Sequence, residues 1–491
     1  MTNKTKLSFG YWQWHTIIAT MIGYALFYFV RKNFSVAMPG LTAEFGISKV
    51  ELGLFLTMHG IVYGISRFIN GFVSDRGSAR VVASIGLGIC ALINIFFAFS
   101  ESVAEWVVAI AAQYGTEWAF TSVLVYLMGI MWVINGYFQG MGVPPFTKTL
   151  TQWIAPNELA TKMSVWNMSH SIGAGLVFGL CGWYIMPHLG LDVSDNADIV
   201  ANITANLTTV VDGVETLPDQ AKVLQFAQHF GAWRWCFLLP AAFALVGAFG
   251  VFFFIKNSPS DLGFPEVMGG KKNEVKTPEQ KAEYNAFVRR KVFGNRLIWT
   301  LALANFFIYV VRFAALDWGP TLLTESKGLT LAMATTLCIV FEFVGGNIGM
   351  VVAGWLTDHL FKNKAHRTCL FCSLGAAISI ALFWMIPTSA HWAVQMIPFT
   401  FIGFFVYGPQ ALLGVAAANQ ATNRAAATAN GILGIFGYAS TILSGVGFGY
   451  IAQEYGWNGA YITILVMAML SALTLLTMWG AKANGYEEKE A

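Results

Sequence analysis

Two arginines lie in apolar surroundings, and each follows a tyrosine by three residues: Tyr28-x-x-Arg31 and, 281 positions later, Tyr309-x-x-Arg312. The first lies in an apolar run from about Ile17 to Met38, with Tyr24 one further turn back. A cation near a bilayer centre costs about 2.5–3.5 kcal/mol on insertion scales, so such residues usually face a cavity and mark a substrate path. A guanidinium offers a planar fork that grips phosphate through two parallel hydrogen bonds, which an ammonium does not. Two arginines in matching places suggest a clamp for one doubly charged anion. The competing reading is an arginine that snorkels to the interface. It fits less well, because Asn33 to Met38 continue beyond Arg31 and Phe313 to Leu316 beyond Arg312.

The elements that must position these side chains are hydrophobic. Of 491 residues, 56% are apolar and 11% charged, against about 25% charged in ordinary globular domains. That excludes a soluble chain and leaves an all-α membrane protein. Windows of about 20 apolar residues predict twelve transmembrane helices, near 14–38, 49–74, 80–100, 120–147, 160–187 and 232–256, then 296–322, 330–357, 366–387, 391–417, 425–452 and 458–481. The first run is too long for a signal peptide and reads as a retained span. Cys369 and Cys372 form a Cys-x-x-Cys inside a predicted span, where small apolar packing residues are the simpler reading than a redox or metal site. No phosphate-cradling Gly-x-x-x-x-Gly-Lys-Ser/Thr loop occurs. Neither an enzyme activity, a cofactor, a metal nor a nucleic-acid partner is expected, and a monomer in the lipid bilayer is.

Lys and Arg in short loops set orientation. Lys4, Lys6, Arg76, Arg80, Lys148, Lys162, Lys362, Lys364, Arg367, Arg424 and Lys482 fall on one side, with Lys271, Lys272, Lys276, Arg289 and Arg290 of the linker. The other side is acidic, with Glu101, Glu105, Glu117, Asp192, Asp195, Asp198, Asp212, Glu215 and Asp219. Both termini are therefore expected in the cytoplasm of a plasma membrane. The stretch 257–295, with Pro259, Pro265, Pro278 and Gly269-Gly270, reads as a cytoplasmic linker between bundles 1–256 and 296–491. The outward loop 188–231 holds Asn202-Ile203-Thr204 and Asn206-Leu207-Thr208, taken as chance glycosylation matches.

The halves echo each other. Gly71-Phe72-Val73-Ser74-Asp75-Arg76 follows the second span, and Gly354-Trp355-Leu356-Thr357-Asp358-His359 the eighth. Gly136-Tyr137-Phe138 is matched by Gly403-Phe404-Phe405. Two pseudo-symmetric six-helix bundles with a site near the midplane describe a secondary transporter of the major facilitator kind.

Gly23 to Met38, Gly71-x-x-Ser74-Asp75-Arg76, Phe138-Gln139-Gly140-Met141-Gly142, Ser164-Val165-Trp166-Asn167-x-x-His170, Val311-Arg312-x-x-x-Leu316-Asp317-Trp318 and Gly408-Pro409-Gln410 together resemble the organophosphate:phosphate antiporters. That resemblance implies exchange of an organic phosphate ester for inorganic phosphate by alternating access. It also implies that Arg31 and Arg312 hold the phosphate, with His170, Tyr24, Tyr28 and Tyr63 around it, and that Lys32, Asp317 and Glu342 form rearranging ion pairs. Arg67 stands where relatives commonly have Lys, and the outward loop is longer than the family leads one to expect.

From the residues themselves, His170 is either a packed, hydrogen-bonded histidine or a site group, and the family pattern assigns it to the site. Asn167 lies one turn earlier on the same face and is a second polar contact there; Tyr309 and Tyr407 are further candidates. Asp317 and Glu342 are costly unless paired; the alternative is a proton-carrying carboxylate in a symporter. The stretch Tyr407-Gly408-Pro409-Gln410-Ala411-Leu412 resembles the sugar-phosphate branch, which favours a hexose 6-phosphate such as glucose 6-phosphate. Glycerol-3-phosphate, phosphoglycerate and a non-transporting hexose-phosphate sensor are the alternatives.

Overall fold

The computed structural model describes residues 8–211, 214–267 and 278–482. Lys4, Lys6, Asp212, Gly269, Gly270, Lys271, Lys272 and Lys276, used above for orientation and linker, lie outside the described residues. Among the described residues the regular structure is helical apart from one short hairpin. The first helices are α1 (Phe9–Phe45), α2 (Lys49–Arg76), α3 (Ala79–Ala98), α4 (Ser100–Gln113), α5 (Phe120–Gln139), α6 (Val143–Trp153) and α7 (Pro156–Gly179). A π turn, Leu180–Ile185, carries α7 into the short α8 (Met186–His188).

An excursion follows: α9 (Ala197–Leu207), strands β1 (Thr209–Val211) and β2 (Val214–Thr216) paired antiparallel, and α10 (Gln220–Gln228). Then come α11 (Ala232–Phe254), α12 (Pro278–Val288), α13 (Arg296–Asp317), α14 (Gly319–Ser326) and α15 (Leu331–Ile339). The last are α16 (Asn347–His359), α17 (Ala365–Met385), α18 (Trp392–Ala439), α19 (Phe448–Glu454) and α20 (Gly456–Leu476). α18 is interrupted at Thr422, where φ is 64° and ψ 168°.

Among the described residues ten helical stretches are long and apolar enough to cross a membrane, and they coincide with ten of the expected spans. The other two expected spans are also helical, in α1 and α7, but do not belong to those ten.

The chain forms two compact units. One comprises Met1–Ala37, Val62–Asp192 and His229–Glu274; the other comprises Met38–Ile61, Val193–Gln228 and Val275–Ala491. The first unit is centred on aromatic rings from four helices. Phe34 stacks on Trp132 with centroids 4.6 Å apart, and Phe97 stacks on Phe237 at 4.3 Å. Lys148 Nζ donates to the carbonyls of Ser74 (2.6 Å), Asp75 (3.2 Å) and Gly77 (3.1 Å), capping the C-terminus of α2 where a cation also suits the helix dipole. The Gly71–Arg76 motif is thus the capped C-terminal end of α2.

In the second unit, Thr57 Oγ1 donates to Thr441 O and accepts from the Val446 amide, both at 2.8 Å. Lys49 Nζ pairs with Glu325 at 3.0 Å, and the same carboxylate accepts from Trp457 Nε1 at 3.1 Å. The excursion belongs to this unit and is folded: Asn196 caps α9, and Asn206 Nδ2 donates to Ala43 O at 3.0 Å. Leu191 and Phe230, which flank it, pair as an antiparallel bridge within the first unit.

Candidate functional site

In the first unit Arg31, Tyr24, Tyr28, Tyr63, Asn167, His170 and Arg67 come from α1, α2 and α7. The Arg31 guanidinium lies over the Tyr63 ring, 4.4 Å from its centroid, and 5.7 Å from that of Tyr28. A cation over an aromatic face is stabilised by about 0.5–2 kcal/mol, the more so when desolvated. Tyr28 in turn packs against His170 at 5.8 Å, and Tyr24 stacks on Trp166 at 5.0 Å.

α7 reaches α1 because residue 173 is glycine: a Cβ there would fall 2.8 Å from Ala25 Cα. That approach sets His170 against Tyr28. His170 Nδ1 contacts the Asn167 carbonyl, which can only accept, so Nδ1 carries a proton; Nε2 lies 3.3 Å from the Ser171 hydroxyl.

α1 is bent where it presents Arg31. Val30 has φ −98° and ψ 22°, outside the helical well. Its carbonyl accepts from Asn135 Nδ2 at 3.0 Å and Asn94 Nδ2 at 3.2 Å, while Gln139 Nε2 donates to Phe27 O at 2.9 Å. Asn33, two residues after Arg31, donates to Asn94 Oδ1 at 2.8 Å and Cys236 O at 3.0 Å.

In the second unit Arg312 is 7% exposed. Its guanidinium lies 5.1 Å from the Tyr407 ring, 5.5 Å from Phe313 and 5.9 Å from Tyr309, and Nη2 donates to the Tyr407 hydroxyl at 3.4 Å. Glu342 is fully buried in a π turn, Val340–Gly346, and its carboxylate is within electrostatic reach of Tyr407. Gly403 permits that turn to press on α18, since a Cβ there would fall 2.9 Å from the Phe341 carbonyl carbon. Tyr407 therefore links a buried cation to a buried acid.

Not every expected contact takes the expected form. The Asn167 side chain is exposed, and it is its carbonyl that meets His170. Arg67 is exposed, Lys32 is buried in the first unit, and Asp317 is half-buried at the end of α13 in the second. Cys369 and Cys372 are buried and unbonded. Sequence reasoning gave no role to Asn94, Asn135 or Gln139. Their trace was present: amides inside strongly apolar spans, which cost free energy unless hydrogen-bonded.

Residues 20–445 match the family described as the Major Facilitator Superfamily. Over 489 residues the chain is 31% identical to a "Probable hexose phosphate transport protein" of Chlamydia muridarum, covering 97% of this chain and 93% of that one. It is likewise 31% identical over 489 residues to the "Membrane sensor protein UhpC" of Escherichia coli, covering 98% and 96%. The solved D-xylose-proton symporter superposes with a TM-score of 0.66 at 16% identity, covering 96% of this chain and 99% of that one. That likeness shows a shared fold.

Proposed function

Because this chain belongs to the organophosphate:phosphate antiporters of the major facilitator superfamily, we propose that it exchanges an organic phosphate ester for inorganic phosphate by alternating access. The favoured ester is a hexose 6-phosphate such as glucose 6-phosphate. The observation that carries this reading is that each arginine of the repeated Tyr-x-x-Arg sits among tyrosine rings within an apolar helix. Arg31 and Arg312 each supply a guanidinium fork to the phosphate. His170, Tyr24, Tyr28 and Tyr63 surround it, and Lys32, Asp317 and Glu342 exchange ion-pair partners during the cycle. Two cations without an anion repel in a low dielectric, which favours strict exchange over one-way flow.

The charge bias of the loops supports cytoplasmic termini in a plasma membrane, the inner membrane in a Gram-negative cell. Proline and charge in 257–295 support a linker between two six-helix bundles. The protein works as a monomer in this proposal.

Counterflow decides the matter. In proteoliposomes loaded with inorganic phosphate, external labelled phosphate should accumulate transiently, and glucose 6-phosphate should compete with it more strongly than glycerol-3-phosphate does. Flux that needs no phosphate on the far side, or that acidifies the lumen with substrate, would replace exchange by proton coupling. A second reading is favoured by the sensor relative: binding of hexose phosphate with no counterflow would make this chain a receptor.

A further inference from the structure

A bend in a membrane helix turns backbone carbonyls away from their helical partners, and hydrocarbon offers no water to take them. At the bend in α1 that need is met by side chains from α3 and α5. Val30 O has two lone pairs, and Asn135 Nδ2 and Asn94 Nδ2 occupy them at 3.0 and 3.2 Å. Gln139 Nε2 serves Phe27 O at 2.9 Å and only grazes Val30 O at 3.4 Å. Asn135 and Gln139 are one turn apart, on one face of α5. Asn94 also accepts from Asn33, so the helix is gripped on both sides of Arg31. All four amides are buried, Gln139 at 3% exposure and the other three at zero. A straight apolar helix at this place would need none of them.

We propose that Asn94, Asn135 and Gln139 are positioning residues for Arg31: by holding the Phe27 and Val30 carbonyls they keep α1 bent, and the bend directs the guanidinium over Tyr63, the pose in which it meets phosphate. The inference rests on Arg31 being a phosphate ligand. Arg31 follows Val30 directly, so any straightening rotates the guanidinium away from Tyr63. Substrate selectivity lies elsewhere, because the group being gripped is common to phosphate and ester.

The test uses the purified full-length protein carrying Asn135→Leu, which nearly keeps the volume and removes the donor. Inorganic phosphate should bind about tenfold more weakly, and glucose 6-phosphate by the same factor, so the ratio of the two affinities stays constant. Asn135→Ser, which restores a donor, should recover part of the loss. Gln139→Met should cost less, about threefold, and carries the test if Asn135→Leu fails to fold. A second readout needs no substrate: the rate at which phenylglyoxal modifies Arg31, read by peptide mass spectrometry, should change severalfold in the variants. A lowered melting temperature with unchanged phosphate affinity and unchanged Arg31 modification would overturn the inference and leave the amides a purely structural role. If the parent protein does not bind phosphate, the transport proposal fails, and an unchanged modification rate still sinks this one.

Discussion

Arg31 follows a bend in α1 and leans on Tyr63, whereas Arg312 continues a helix that runs from Arg296 to Asp317 and donates to Tyr407. Near Arg31, buried neutral amides act on the backbone. Near Arg312, a phenol and the Glu342 carboxylate act on the side chain and its field. The repeated Tyr-x-x-Arg pattern thus does not carry a repeated local structure. One unit aims its cation by shaping the chain; the other holds it among rings beside an acid. The two sites should therefore tolerate different substitutions.

The largest expected effect is shared by both. Arg31→Lys or Arg312→Lys should each lower phosphate exchange about a hundredfold, since hydrogen bonds to charged groups are worth about 1.5–3 kcal/mol each and 1.4 kcal/mol is tenfold. Exchange is measured against the amount of folded protein in the membrane. Near-normal exchange in one variant alone would break the comparison by making that arginine dispensable.

Gly173→Ala tests the first unit's reliance on backbone approach. Overpacking at α1 should destabilise the protein by about 1–3 kcal/mol, read as a lowered melting temperature in detergent. An unchanged melting temperature would show that α1 and α7 yield easily and that His170 is not held by their contact.

His170→Gln should weaken phosphate binding by about tenfold and change its pH profile. An unchanged pH profile would take His170 out of the site.

The smallest effect concerns neither arginine. Burial disfavours the charge on Glu325, but Lys49, Lys222 and the hydrogen bonds from Lys49 and Trp457 outweigh it and hold the carboxyl below its usual range. Its stabilisation is then complete above the unfolded carboxylate value of about 4.3 and is lost as pH falls through the lower folded value. Glu325→Gln should cost about 1 kcal/mol at neutral pH and flatten that acid loss. A variant as acid-sensitive as the parent would place the sensitivity elsewhere.

The fold class was legible because bilayer thickness imposes a length on every span, and the apolar windows recorded it. The expected spans near 14–38 and 160–187 fall on helix, in α1 and α7, and both helices carry buried polar side chains such as Lys32, Asn33 and His170. Ring contacts at Arg31 were foreshadowed by Tyr28 one turn away, and by Tyr63 only through the family resemblance. The bend at Val30 was not legible: the nearest proline, Pro39, lies more than two turns on, and the cause is three amides on other helices. The contact of the Asn167 carbonyl with His170 was not legible either, since periodicity places a residue on a face but does not say what its backbone meets. The structure of the loop 188–231 was missed because hydropathy windows are blind to a small polar fold.

That small fold has a practical meaning. Its neck is stapled: Leu191 and Phe230 exchange backbone hydrogen bonds at 2.9 and 3.0 Å. An insertion whose two ends already touch imposes no spacing of its own on the helices at its base, much as a locket hangs from a single link of a chain. Its interior is tied more firmly, by Asn206 to α1 and by Lys222 to the field of Glu325, so a recognition module or a fluorescent reporter added between Leu191 and Phe230 should harm the carrier least where it spares those two residues.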